Sequence, residues 1–361
     1  MLAKKNISPG FLIAAAAGFL LLWGTEGMLE SQISSGQILT GTAFGKYLSQ
    51  KISAIGTSGA LALVAQLKFR WLVLCLLAYW LSLSSAGTFP ASNNRLRWRV
   101  RLFFVIQLLY LPGLLSELNI RWRWSAFFEP PLLPGFFIDS FPSMAIIQFC
   151  GIFLFGISAW LVLAKWKNDR LLPAAMACLT WLGWTFLLSL YQSGGVTDHA
   201  YASMHSGMFF MIPFLLLWRK NPGDAALGHR IFQSGIWGCY FFSGLEKLFL
   251  SGPGWLNPEN FSLLCRTHPG PACEWFAAHP AAAGFAFAFV LLFQLLSPLQ
   301  WHFPRWAYFT TVSGLLFHIG TWLILGVGGW QSPWLAMLVF LLPLGEENNP
   351  SGEPAIKAPA R

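Results

Sequence analysis

The sequence predicts an all-α fold, a polytopic integral membrane helical bundle of about 10 transmembrane helices. Three observations point there. Of 361 residues, 55% are hydrophobic and only 10% are charged, whereas a soluble domain carries about 25% charged residues. The apolar residues fall in blocks of roughly 16 to 22, the length of helices that cross a bilayer. No stretch alternates apolar and polar residues over about 10 positions, as spanning strands do. The net charge of +9 reads as a topology signal and implies no nucleic-acid partner.

Taken in order, Lys4 and Lys5 precede FLIAAAAGFLLLW, which resembles a signal sequence without an A-x-A cleavage site. It reads as an uncleaved first helix over about 11–29. Residues 30–56 are polar and rich in Ser and Gly. A second span is expected at about 69–87. NNRLRWRVR follows, with Arg95, Arg97, Arg99 and Arg101, and leads into a third span at about 102–118. The segment 119–142 is an aromatic-rich loop suited to headgroup level. Further spans are expected at about 143–164, 171–191, 203–218 and 231–250. A Pro- and Gly-rich loop over 251–280 comes next, then spans at about 281–299, 307–326 and 331–344. The tail EENNPSGEPAIKAPAR is polar and reads as disordered. The organisation is therefore 1–94 as an N-terminal extension with two spans, 95–344 as the main membrane domain, and 345–361 as the tail.

Lysine and arginine counts give an orientation. With the N-terminus inside, the inner segments carry fifteen basic residues and the outer ones seven, Lys247 set aside. This puts both termini in the cytoplasm, in a bacterial inner or plasma membrane. It also puts loops 192–202 and 251–280, and the Glu246–Lys247 end of the seventh span, outside.

The span IFQSGIWGCYFFSGLEKLFLSGPGW, residues 231–255, holds the anomaly: Glu246 and Lys247 side by side in apolar sequence. Ionisable residues at such depth are costly and mark function or a buried pairing. Gln233, Trp237, Tyr240, Gly244 and Lys247 fall on one helical stripe. That stripe suits a cavity or a neighbouring helix. Lys247 there is a base or nucleophile, or it snorkels to the headgroups, or it joins Glu246 in a structural pairing. VTDHAYASMHSG, residues 196–207, brings Asp198 beside His199 at the outer mouth of the sixth span and places His205 within that span's first turns. The pair suits proton transfer, or it is a solvated pair with a packed histidine behind it. His318 sits in mid-span within GLLFHIGTWLILG, as a site residue or a packing one.

Cys265 and Cys273 share the 251–280 loop and are either a disulfide or two free thiols. The other four cysteines lie in apolar spans as inert thiols. No metal-ligand spacing is present. The nucleotide and hydrolase motifs G-x-x-x-x-G-K, G-x-G-x-x-G and G-x-S-x-G find no match either.

YFFSGLEKLFLSGPGWLN, residues 240–257, resembles the signature of the HTTM (horizontally transferred transmembrane domain) family, the membrane domain of vitamin K-dependent gamma-glutamyl carboxylase. Tyr240, Gly244, Leu245, Lys247, Leu248 and Trp255 carry the likeness. TDHAYASMHSG aligns His199 with a functional histidine, and FHIGTWLILGVGGWQSPWLAMLVFLLP resembles the family's last two helices, with His318 at its histidine. The resemblance spans about 95–343. It implies a lysine base at Lys247 that deprotonates a hydroquinone, with oxygenation then yielding a base strong enough to take a glutamate γ-proton. At two matched positions the chain departs: Asp198 replaces an asparagine, and Glu246 replaces a lysine. An acid beside the base favours its protonated form. The expected function is a carboxylase-like enzyme acting on a quinol-type substrate or an exported peptide. The alternative is a non-enzymatic accessory or maturation factor for an exported protein, working through the outer loops. The expected partners are membrane lipid and a quinone or an exported peptide or protein.

Overall fold

The computed structural model describes residues 93–123, 140–164, 171–192, 201–218, 222–267, 270–303, 305–328 and 332–342. The chain divides into two compact units, Met1–Ala86 with Pro131–Ser140, and Gly87–Pro130 with Phe141–Arg361. All described residues except Ser140 belong to the second. The first two expected spans, the middle of the 119–142 loop, His199, Asp198 and the tail lie outside the described residues.

Among the described residues the fold is helical throughout, without a strand. The helices are α1 (Asn93–Trp122), α2 (Met144–Leu163), α3 (Leu171–Tyr191), α4 (Ala202–Trp218) and α5 (Pro222–Glu246). Then come α6 (Pro258–Thr267), α7 (Cys273–Ala278), α8 (Pro280–Leu296), α9 (Trp306–Leu325) and α10 (Pro333–Leu338). Five segments are long and apolar enough to cross a membrane: α1, α2, α3, α8 with its 3₁₀ extension to Trp301, and α9. Helix α4 is apolar but shorter, at 17 residues. The outside of the bundle is apolar too, with Phe149 71% and Phe285 78% exposed. A surface of that kind belongs in hydrocarbon, where helices satisfy their own backbone groups.

Aromatic packing makes the interior. Phe103, Phe104, Phe214, Phe232 and Phe340 are fully buried. Phe232 stands edge-on to Phe103 at 5.3 Å and to Phe340 at 5.4 Å, ring centroid to centroid. One ring thereby ties α5 to α1 and to the chain just after α10. Helices α4 and α5 pack closely: a Cβ on Gly228 would come within 3.0 Å of the Phe214 backbone. Small residues at such a seam let two backbones approach in a membrane.

Three expectations change. Residues 219–230 read as an inner loop, but α5 starts at Pro222, since proline fits the first helical position, where no intrahelical N–H is needed. Residues 251–280 read as a loop, but they hold a 3₁₀ turn, Gly252–Leu256, and helices α6 and α7. Their apolar sides pack on Phe261, Ala283 and Phe287, and helices this short form only with tertiary support. Residues 331–344 read as a full span, but α10 has six residues and ends in turns. Its free carbonyls are taken by distant side chains. Arg99 donates to Val339 O at 3.0 Å and Leu342 O at 2.8 Å, and Gln233 Nε2 donates to Phe340 O at 2.8 Å.

Candidate functional site

The stripe along α5 is buried against other helices, level by level. Gln233 meets the turn after α10 as above. Trp237 is buried, and its carbonyl accepts from Ser297 Oγ at 3.1 Å. Tyr240 Oη shares a 2.8 Å hydrogen bond with His318 Nε2 of α9. Trp334 of α10 lies over both rings, 5.1 Å from Tyr240 and 5.5 Å from His318, and Phe293 of α8 closes the side at 5.3 Å. At Gly244 the α8 backbone comes so near that a Cβ would lie 2.9 Å from Gln294 Cβ and 3.3 Å from Leu295 N. The stripe is therefore a contact face, with its one polar pair, Tyr240 and His318, sealed inside.

Lys247 sits where α5 changes character. The α-helix stops at Glu246, and Lys247–Ser251 continue as one π turn. Such turns are uncommon and recur at functional sites. Lys247 Nζ donates to Ser243 Oγ at 2.6 Å and to Ser243 O at 3.3 Å. The chain then folds back through Gly252–Leu256, bringing the Trp255 ring to 5.3 Å from the ammonium. A cation over an indole face is attracted by the ring quadrupole. Trp255 also packs on Phe287 at 5.2 Å, while its Nε1 is buried with no hydrogen-bond partner. Glu246 is half-buried, and its charge acts on the Lys247 ammonium.

The cap that carries Trp255 is pinned twice. Cys265 and Cys273 form a disulfide with their Cα atoms 5.6 Å apart. Gly270 N and Ala272 N donate to Ile324 O and Leu323 O, at 2.9 and 2.8 Å, and so satisfy the last carbonyls of α9.

His205 belongs to a different place. Its Nε2 lies 2.7 Å from Thr185 Oγ1 of α3, and Trp181 stacks on it at 5.9 Å. Thr185 donates its only proton to Trp181 O at 2.8 Å. The hydroxyl therefore accepts from His205, which assigns the proton to Nε2. His205 is thus bonded within the α3–α4 seam.

The structure brings together Tyr240 with His318, and Lys247 with Trp255. The two pairs share one face of α5 about two turns, roughly 10 Å, apart along the axis. Ser243, Trp334, Thr185 and Trp181 were not singled out from the sequence. Ser243 was within reach of it, because a residue four before Lys247 is its neighbour on a helix. Among the described residues no group of three or more His, Cys, Asp or Glu could hold a metal ion.

The Tyr240–His318 bond predicts its own cost. Tyr240→Phe should lower stability by about 1–3 kcal/mol, because His318 Nε2 is left unpaired in a buried site. Chemical unfolding in detergent reads this directly, and an unchanged midpoint would show that the bond contributes nothing.

No protein-family model, curated protein or solved structure matches the chain.

Proposed function

We propose that the chain is a multi-pass membrane enzyme of the HTTM type, acting in a carboxylase-like way on a lipid-soluble, quinol-type substrate. The chemistry sits at the end of the bundle where α5 finishes, the outer side by the basic-residue count. The ten spans and the cytoplasmic termini belong to the same reading. One observation carries it: Lys247 is held between Ser243 and the face of Trp255 at a π turn. Lys247 is the base toward the substrate hydroxyl, and Ser243 and Trp255 set its direction. His199 orients the substrate, and Tyr240 and His318 support the helix face behind. An exported peptide or protein is the second substrate. Glu246, beside the base in the chain, is the departure from the carboxylase pattern.

Lys247→Ala should lower oxygen-dependent consumption of a short-chain quinol by about 10²–10⁴-fold, the usual contribution of a general base. Turnover equal to wild type at equal expression would remove the proposal. The gently purified wild-type protein should also retain a quinone detectable by mass spectrometry.

One observation favours a second reading as an accessory factor for an exported protein. The disulfide-pinned cap presents Leu263 and Trp275, 62% and 54% exposed, on its outer surface. Co-purification of a stoichiometric protein partner without any quinone selects this reading over the first.

A further inference from the structure

Helices α2 and α3 are tight at one level and apart at another. A Cβ on Gly183 would lie 2.5 Å from Leu154 Cδ2, so the helices touch there. Toward the end where α2 finishes and α3 begins they diverge. The gap is an open groove of about 420 Å³, lined by Phe153, Gly156, Ile157, Trp160, Leu172 and Met176. Every lining side chain is apolar. A Cβ on Gly156 meets nothing within 4 Å, so the groove is open space at that point.

Both walls are helices long and apolar enough to cross a bilayer, which suits the groove to hydrocarbon. One turn past the lining residue Trp160, Arg101 of α1 reaches the end of α2: it donates to Ala164 O at 3.4 Å, and Ala164 N is bonded to Trp160 O at 2.8 Å. Trp160, 38% exposed at this end, is the residue type that marks headgroup depth. Apolar slot, interfacial tryptophan and guanidinium follow one another in the order of a phospholipid's own parts. Arginine suits the phosphate, because its planar fork matches two of the phosphate oxygens.

We propose that this groove binds one acyl chain of an anionic phospholipid, with the headgroup phosphate at Arg101. The site lies at the opposite end of the bundle from Lys247 and is independent of the function proposed above. Its role is to fill the splayed end of the α2–α3 pair, which would otherwise be lined by atoms with no packing partner.

The test is native mass spectrometry of the full-length protein in detergent, titrated with phosphatidylglycerol or with phosphatidylcholine of the same chains. Wild type should retain phosphatidylglycerol about fivefold better, the selectivity that one interfacial arginine supplies. Arg101→Gln should bring the two lipids to parity, and Arg101→Lys should keep most of the preference. Gly156→Leu enters open space, so it should fold normally while losing retention of both lipids. Met176→Phe is a second filling variant if Gly156→Leu expresses poorly. Arg266→Gln, at the other end of the bundle, should change nothing. Parity in wild type overturns the proposal. So does full retention by the filling variants, or displacement of the bound lipid by inorganic phosphate alone, which would make the site one for a free anion.

Discussion

Phe232→Ala should destabilise the protein by about 3–5 kcal/mol, the usual range for emptying a fully buried aromatic position. Phe232 is 0% exposed and stands between Phe103, Phe214 and Phe340. Its loss opens the junction of α1, α4, α5 and the chain after α10 in one step. In a bilayer, removing apolar surface from water does not drive helices together, so packing contacts carry the association. The void therefore forfeits dispersion contacts that nothing replaces. Phe285→Ala is the matched control, 78% exposed on the outside of α8, and should stay within about 0.5 kcal/mol of wild type. Denaturant unfolding in a fixed detergent measures both. A Phe232→Ala loss no larger than the control's would mean that the aromatic cluster repacks freely.

Gly270→Ala should detach the cap from α9 at a cost of about 1–3 kcal/mol, the range for forcing atoms into filled space. A Cβ at Gly270 would lie 2.5 Å from both Ile324 C and Ile324 O, and 2.7 Å from Gly326 N. All three are backbone atoms, so no rotamer change relieves the clash. The hydrogen bonds from Gly270 N and Ala272 N must break, leaving the end of α9 with unsatisfied carbonyls. The Cys265–Cys273 bond confines the damage by keeping α6 tied to the start of α7. Hydrogen exchange should therefore speed up at residues 270–272 and in the last turn of α9, while α1 to α4 stay protected. Unchanged protection at Ile324 and Gly326 would show that the cap does not dock there in solution. If the cap also aims Trp255 at Lys247, quinol consumption should fall in the same variant.

Much of the helical frame was legible because hydropathy reports it directly. The expected 143–164, 171–191 and 307–326 coincide with α2, α3 and α9 to within a residue. What was not legible depends on partners far away in sequence. Helices α6 and α7 are too short to announce themselves, and the residues that hold them, Ala283 and Phe287, lie on α8. The last stretch is as apolar as a span, yet its chain turns after Leu338 because Arg99 and Gln233 take its carbonyls. From the sequence alone, Arg99 is only a topology signal. At the candidate site, the stripe on α5 followed from spacing alone, and Ser243 was one helical turn from being found. The Tyr240–His318 bond joins residues 78 apart, and no local pattern links them. Composition likewise does not separate His205, bonded within the α3–α4 seam, from a site histidine.

The capture of the last carbonyls by Arg99 and Gln233 sets an order on biosynthesis. A chain is made from its N-terminus, so α1 and α5 are in place long before Val339 to Leu342 exist. Until then the Arg99 guanidinium and the Gln233 amide have none of these carbonyls to donate to. Only the arrival of the residues after α10 quiets them. A chain stopped short of Val339 lacks every one of these bonds, so the start of α1 and the middle of α5 have no tie to the residues after α10.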